Sequence, residues 1–280
     1  MVTLKKQLSV LMSVYKKENP VYLDKALHSI WTEQTLKPNE IVLVKDGTLG
    51  VELEQTIREW KERLGEKLIL HQNERNLGLT KSLNIGLSYV SSDLIARMDS
   101  DDIAHPLRFE RQVKYLEEHS EIMVLGGAMK EFSGDCKNVI NTRHYPLTHR
   151  EIKKYIMKAN PIAHPTVMIR KTLFDNGLRY DERYRNSQDA ALWFNVLAHD
   201  FQVANLNDTL LFFRMSGDFF SRRSKSYAID EMKIWFRGIS ALSGYWSLSY
   251  IYPLMRFVLR MLPAAWIQKI YTGRLRKKIV

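Results

Sequence analysis

Asp99, Ser100, Asp101 and Asp102 follow directly on the apolar run Leu94-Ile95-Ala96-Arg97-Met98. Three carboxylates stand within four residues. Like charges this close repel, so the cluster needs a cation or several donors beside it. Mg²⁺ and Mn²⁺ take oxygen ligands and bridge to substrate phosphates. The reading with chemistry in it is a strand that delivers Asp99 and Asp101 to a metal–diphosphate site. A solvated acidic turn is the plain alternative, because Asp-x-Asp tripeptides are common by chance. The position of the cluster after a buried-type strand favours the first.

The elements that would carry such a site alternate through the first hundred residues. Leu8–Val14 is strand-like. Asn19-Pro20 reads as a helix cap and first helical residue, with Leu23, Leu27, Ile30 and Trp31 as the apolar face. Glu40–Val44 is a second strand, closed by Asp46-Gly47. Val51–Leu64 has helical spacing, with Gly65 as its cap. Lys67–His71 is a third strand, Thr80–Tyr89 a helix, and Leu94–Met98 a fourth strand. Strands separated by helix-length segments imply βαβ units and a mostly parallel sheet flanked by helices. Ligands of such sheets bind beyond the carboxyl ends of the strands. Polar residues gather at those ends: Ser13 and Tyr15, then Asp46, then Asn73, Asn76 and Gly78, then Asp99 and Asp101. Turn chemistry explains each alone but explains the set poorly.

Further on, Pro106–Glu118 reads as a helix, Met123–Ala128 as a strand, and Ala190–His199 as a helix preceded by Gln188-Asp189. Asp189 stands where a helix N-terminus would hold it. The chain of 280 residues can bury a full core. Its one cysteine, Cys136, excludes an intrachain disulfide and fits a reducing compartment. The run Leu8 to Val14 is too short for a signal core. The histidines give no zinc spacing. No Walker A loop and no G-x-G-x-x-G fingerprint appears, which argues against a triphosphatase or a dinucleotide enzyme.

With these segments in hand, the chain resembles the family 2 glycosyltransferases of the GT-A fold, especially the bacterial enzymes of capsule, exopolysaccharide and O-antigen assembly. The resemblance rests on Leu11-Met12-Ser13-Val14-Tyr15, on Leu27 to Thr35, on Glu40 to Gly47, on Asn76 to Gly86 and on Ala96 to Asp102. It covers about residues 7 to 215. Two departures stand out. Lys45 replaces the aspartate that usually precedes Asp46, and Gln188 replaces the glutamate that usually precedes Asp189.

The resemblance implies an inverting sugar transfer from a nucleotide-activated donor, with UDP-galactose, UDP-glucose and their N-acetyl forms as candidates. Mn²⁺ or Mg²⁺ on Asp101 would neutralise the leaving diphosphate. Asp99 would share the metal or hold the ribose, with Glu18 and Ser100 beside it on the donor side. Asp46 would accept from the nucleobase, Ser13 and Tyr15 would frame the base or ribose, and the tight backbone at Asn76-Leu77-Gly78 would let the loop approach. Lys81 would contact phosphate or uracil. Inversion needs a base on the face opposite the leaving group, and the family pattern puts Asp189 there. The segment holding His164 would lie near the acceptor; a lone histidine is more often structural than catalytic.

Charge divides the chain. From residue 222 to the end, twelve Lys and Arg stand against two acids, giving +10 of the total of +11. Tyr245, Trp246, Tyr250, Tyr252, Phe257, Trp266 and Tyr271 lie among Arg256, Arg260, Lys269 and Arg274-Leu275-Arg276-Lys277-Lys278. We therefore divide the chain into a catalytic domain, 1–221, and a basic aromatic helical extension, 222–280. The catalytic domain has a nucleotide-sugar half, about 1–105, and an acceptor half, about 106–221. Aromatic and basic residues together describe a helix lying on an anionic membrane. That fits a polyprenyl-diphosphate-linked saccharide acceptor and a peripheral place on the cytoplasmic face of the cell membrane. Packing on the core or a homodimer contact is the bland reading of the same segment. A nucleic-acid partner ranks low, because the first 221 residues carry almost no net charge and no recognised motif. A processive synthase would show Gln-x-x-Arg-Trp and several spanning helices, neither of which appears.

Overall fold

The computed structural model describes residues 7–215 and 225–261. Nine strands form one sheet in the order β3-β2-β1-β4-β8-β6-β9-β5, with β7 pairing β6. The strands are β1 (Leu8–Val14), β2 (Glu40–Lys45), β3 (Leu68–Gln72), β4 (Leu94–Met98), β5 (Ile103–Ala104), β6 (Ile122–Phe132), β7 (Val139–Arg143), β8 (Met168–Arg170) and β9 (Gln202–Arg214). The helices are α1 (Pro20–Trp31), α2 (Val51–Leu64), α3 (Leu79–Leu87), α4 (Arg108–Glu118), α5 (His149–Tyr155), α6 (Thr172–Asp175), α7 (Gln188–Ala198), α8 (Lys225–Ser243) and α9 (Ile251–Met261).

The first four strands are parallel. Buried on both faces, they read as near-continuous apolar runs. The two-residue period sorts their side chains between two cores. Val10, Met12, Ile41, Leu43, Leu94 and Ala96 face α1, α2 and α4. Leu11, Val42 and Ile95 face α3 and α7 on the other side. Gly86 allows that second layer to close: a Cβ there would lie 2.4 Å from a Leu11 methyl.

The second half of the sheet is mixed. β8 runs antiparallel to β4 and β6, while β9 runs parallel to β6. Sequence reasoning found no strand at β9, because Asn205, Asn207 and Asp208 look like a turn. They mark an irregularity instead: Leu206 pairs with Gly127 and Thr209 with Ala128, leaving Asn207 and Asp208 outside the ladder. Other boundaries shift for local reasons. Gly65–Lys67 form a 3-10 turn ahead of β3. A turn closed by Arg108 N–H on the His105 carbonyl delays α4 to Arg108. α7 starts at Gln188, so Asp189 sits inside the first turn rather than before it.

Of the extension expected after residue 221, α8 is built into the core. Ile234, Trp235 and Ile239 join the α7 cluster. Trp235 Nε1 donates to the Ile156 carbonyl at 2.8 Å, and Gly238 lies against the Phe194 ring. Arg256 and Arg260 tie α9 back to Glu231 at 3.0 and 2.8 Å. Gly244, at φ +75°, follows the last residue of α8. Among the described residues no helix is long and apolar enough to cross a membrane. Trp266, Lys269, Tyr271 and the 274–278 basic run lie outside the described residues.

Candidate active site

The sheet register aligns the strand ends. Met12 lies opposite Met98, and Val14 opposite Lys45. Ser13 and Tyr15, Asp46, and Asp99 to Asp101 therefore leave the sheet at one edge. Ser13 is half-buried, and Tyr15 is exposed at the start of the β1–α1 connection.

Asp46 holds a loop. Its Oδ1 accepts from the Leu77 N–H at 2.7 Å and from Asn73 Nδ2 at 3.0 Å, and its Oδ2 accepts from the Gly78 N–H at 2.9 Å. Asn76 Nδ2 donates to the Asp46 carbonyl. Gly47 makes the close approach possible, since a Cβ would stand 2.7 Å from the Asn76 nitrogen. Gly78 takes φ +89° at the start of α3. Lys45, the departure from the family pattern, turns to Glu54 at 3.0 Å. Lys81 is exposed, 4.0 Å from Glu182.

The acid cluster is the electrostatic centre. Ser100 Oγ donates to Glu18 Oε2 at 2.7 Å, which brings the β1–α1 connection against the end of β4. Burial, with Asp99 and Glu18 nearby, pushes the Asp101 carboxyl up to about 7. Asp102 is fully buried and is pushed well above the usual carboxylate range by burial, then by Asp99 and Asp101. Its Oδ1 accepts from the Arg214 N–H at 2.8 Å, and its Oδ2 has no partner. The Arg214 guanidinium donates to the Asp101 carbonyl at 2.8 Å and lies over the Tyr22 and Phe132 rings. Arg214 thus fixes the turn that presents Asp101.

Arg97 is a residue that sequence reasoning passed over. Two positions before Asp99, it shares that residue's face, and its guanidinium pairs with both carboxylate oxygens. It is 3% exposed. Burial works against its charge, and Asp99 outweighs the burial. Its field also reaches Asp101, Asp102, Asp189, Tyr180 and His164. An arginine inside a strand of buried type was the available signal, since such a charge must have a partner.

Asp189 is carried by the first turn of α7. The segment before α7 is pinned to α3: Asn84 exchanges two hydrogen bonds with the Tyr180 backbone, and Thr80 Oγ1 donates to the Tyr184 carbonyl. Ser187 takes a left-handed conformation, φ 55°, just before the helix. Asn160 Nδ2 donates to Asp189 Oδ2 at 2.5 Å. Burial raises the Asp189 carboxyl, opposed by the Ala190 N–H, Asn160 and Arg97. His164 is buried, 2.9 Å from the Tyr180 hydroxyl and edge-on to Trp193. Burial, with Arg97 near, holds it far below its ordinary value, so the ring is neutral. It packs beside the Asp189 side of the crevice.

The donor set suits a hard cation. Asp101, Asp99 and Glu18 are oxygen donors, and burial and then their repulsion raise the Asp101 carboxyl despite Arg97. Arg97 already holds both oxygens of Asp99, so a cation would meet Asp101 first. Among the described residues no three acidic, histidine or cysteine side chains form a metal cage on their own. A cation here would take the rest of its shell from a diphosphate and water.

The buried acids give a stability prediction. A carboxyl whose folded pKa lies above its unfolded value keeps its proton longer in the folded chain. Stability therefore falls as pH rises from the ordinary carboxylate range through the folded value. For Asp101 that window ends at about 7. Asp102→Asn keeps an oxygen for the Arg214 N–H and removes one charge. In chelator, the melting temperature of the variant exceeds that of the parent at pH 8, and the difference shrinks toward pH 5. Equal curves for the two proteins refute the assignment.

This mixed sheet, with its acid cluster at a strand end and its separate buried carboxylate, is a GT-A glycosyltransferase fold. The profile of "Glycosyl transferase family 2" matches residues 9–178, and the chain belongs to that family. The protein is therefore a glycosyltransferase. It is 33% identical to the amylovoran biosynthesis glycosyltransferase AmsE of Erwinia amylovora, over 94% of this chain and 97% of that one. It is 31% identical to the Escherichia coli UDP-Gal:alpha-D-GlcNAc-diphosphoundecaprenol beta-1,3-galactosyltransferase, over 97% of this chain and 96% of the relative. The crystal structure of S. aureus TarS 1-349 in complex with UDP aligns with TM-score 0.62 at 18% identity, over 97% of this chain and 73% of that chain. At that identity the likeness speaks for fold alone.

Proposed function

We propose that this glycosyltransferase moves a hexose or N-acetylhexosamine from a UDP-sugar to a lipid-linked saccharide, with inversion, during bacterial surface polysaccharide assembly. The observation that carries the reading is one buried guanidinium, Arg97, paired with Asp99 of the acid cluster and acting electrostatically on both Asp101 and the buried Asp189. The relative from E. coli, named for a UDP-galactose donor and a diphosphoundecaprenol acceptor, lends support, as does the relative named for amylovoran biosynthesis.

Asp189 takes the proton of the acceptor hydroxyl as its oxygen bonds to the anomeric carbon. The bond from that carbon to the diphosphate oxygen breaks on the opposite face. Asp101, with Asp99 and Glu18 beside it, would hold Mn²⁺ or Mg²⁺, and the bound cation would supply the positive charge that neutralises the leaving diphosphate. Arg97 fixes Asp99, and Asp46 fixes the loop that meets the nucleoside with Ser13, Tyr15 and Asn76. Lys81 stands at the exposed rim, within reach of a phosphate. His164 is neutral, and it supports the acceptor side through Tyr180.

The calorimetric test titrates UDP, GDP and dTDP with and without Mn²⁺. UDP binds, and binds tighter with Mn²⁺; Asp101→Asn loses that dependence. Folded protein that binds none of the three nucleotides overturns the reading.

We assign the membrane contact to the α8–α9 connection and α9. Trp246 is 99% and Leu248 92% exposed, and Ile251, Leu254, Met255 and Val258 form an exposed apolar face beside them. The chain beyond Met261 adds five Lys and Arg and no acid. The protein then works as a peripheral enzyme on the cytoplasmic side. Pelleting with phosphatidylglycerol vesicles at low salt tests this, and wild-type pelleting by a Trp246→Ser, Leu248→Ser variant removes the assignment.

A further inference from the structure

We propose that Asn160 is the positioning residue of the base: its amide holds one oxygen of Asp189 and leaves the other for the attacking hydroxyl. The inference rests on Asp189 being the base.

The contact is direct. Asn160 Nδ2 lies 2.5 Å from Asp189 Oδ2. Asn160 Oδ1 accepts from the Ile162 N–H at 3.4 Å, a much looser bond, which orients the amide with its NH₂ toward the carboxylate. A turn role alone would put the short bond on the backbone. Here the short bond is on the carboxylate.

The segment that carries Asn160 is fixed from three sides. Pro161 follows it, which biases Asn160 toward extended backbone. The Pro161 carbonyl accepts from Asn205 Nδ2 at 3.0 Å, and Asn205 comes from β9. Asn205 also donates to the Pro146 carbonyl at 2.7 Å. Gly126 on β6 makes room for this, since a Cβ there would stand 2.2 Å from Asn205 Oδ1 and 2.7 Å from Ile162. On the other side Trp235 holds the Ile156 carbonyl. Sheet and α8 thus converge on one amide.

An amide is the suitable group for this place. A base must be aimed, and it must keep its negative charge free to draw the proton. Lysine or arginine there would aim the carboxylate but neutralise it. A neutral N–H donor aims it and favours the ionised form without cancelling the charge. The charged and titratable groups that reach Asp189 from the packed elements are Arg97 of β4 and Tyr180 ahead of α7, with neutral His164 bonded to Tyr180. None of these groups hydrogen-bonds to the carboxylate among the described residues. The aiming therefore falls to Asn160 and the helix amide of Ala190.

The test uses the full chain with Mn²⁺ and measures UDP release from UDP-galactose, UDP-glucose and their N-acetyl forms, with water as acceptor. Asn160→Ala lowers kcat about 10- to 100-fold, as expected for a lost hydrogen bond to a charged group, and leaves the KM for the UDP-sugar near wild type. The acid limb of its kcat–pH profile moves to higher pH. Asn160→Asp, nearly isosteric, moves the limb further, because two carboxyls then share a proton. Mn²⁺-dependent UDP binding stays near wild type in both. An unmoved acid limb in both variants, a loss confined to KM, or unfolding of both variants at pH 7 overturns the proposal. Asp189→Asn is assayed beside them. Turnover retained there defeats the base reading itself. An inactive Asp189→Asn with wild-type limbs in the Asn160 variants defeats only the positioning role.

Discussion

Asp189→Asn slows sugar transfer by orders of magnitude and leaves Mn²⁺-dependent UDP binding intact. The substitution is isosteric, and an amide cannot accept the hydroxyl proton. General base catalysis contributes roughly 10²- to 10⁴-fold, so kcat falls by about that range. The donor side is untouched, because Asp189 lies on α7 while Asp101, Glu18 and Asp46 leave the sheet at the ends of β4, β1 and β2. Burial and the Asn160 contact already constrain the site, so no rearrangement compensates for the change. The decisive comparison is kcat beside the UDP dissociation constant in one preparation. Turnover within threefold of the parent would take Asp189 out of the base role.

Arg97→Met destabilises the fold as well as the reaction. Removing one partner of a largely buried ion pair costs about 3–5 kcal/mol, because the other charge is left unpaired and mostly out of water; Asp99 is 28% exposed. Here the orphan is Asp99, and it stands beside Asp101 and Asp102, both already pushed upward. A loss of that size lowers the melting temperature by roughly 6–20 °C in a chain of this length. The loss is greater at pH 8 than at pH 5, since protonation of the cluster at low pH relieves the repulsion that Arg97 otherwise balances. A void left by a missing side chain has no such pH dependence, and this separates charge from packing. Arg97→Lys recovers only part of the loss, because an ammonium cannot grip both oxygens of Asp99. The measurement is thermal unfolding of the three proteins in chelator across that pH range. A melting temperature for Arg97→Met equal to the parent at pH 8 would sink the prediction.

The two halves of the molecule differ in how much of them can be read from the chain. The first four strands and their helices are local: apolar runs, caps such as Asn19, and glycines such as Gly47 and Gly78 set them within short windows. The acid cluster announced itself for the same reason, as charge at the end of an apolar strand. Beyond residue 118 the elements depend on distant partners. β9 is a strand because β6 lies beside it, and its polar interruption is tolerated where two residues leave the ladder. α8 read as a basic tail because its charges are frequent, while the residues that decide its place, Trp235, Gly238 and Ile239, meet Phe194 and Ile156 only after folding.

By itself the sequence determined that Ser13, Tyr15, Asp46 and Asp99 to Asp101 share one end of the sheet, since residues that follow successive parallel strands must emerge together. It also pointed to Asp189 through the family pattern. Only the tertiary structure decided what surrounds these carboxylates. Arg97 pairs with Asp99 because a buried strand leaves its guanidinium no water to turn to. Asn160 meets Asp189 because β6, β9 and α8 press its segment against α7, although the two stand 29 positions apart in the chain. Spacing along a chain fixes which face a residue occupies, and only packing between faces fixes which charges are left unpaired and which are held.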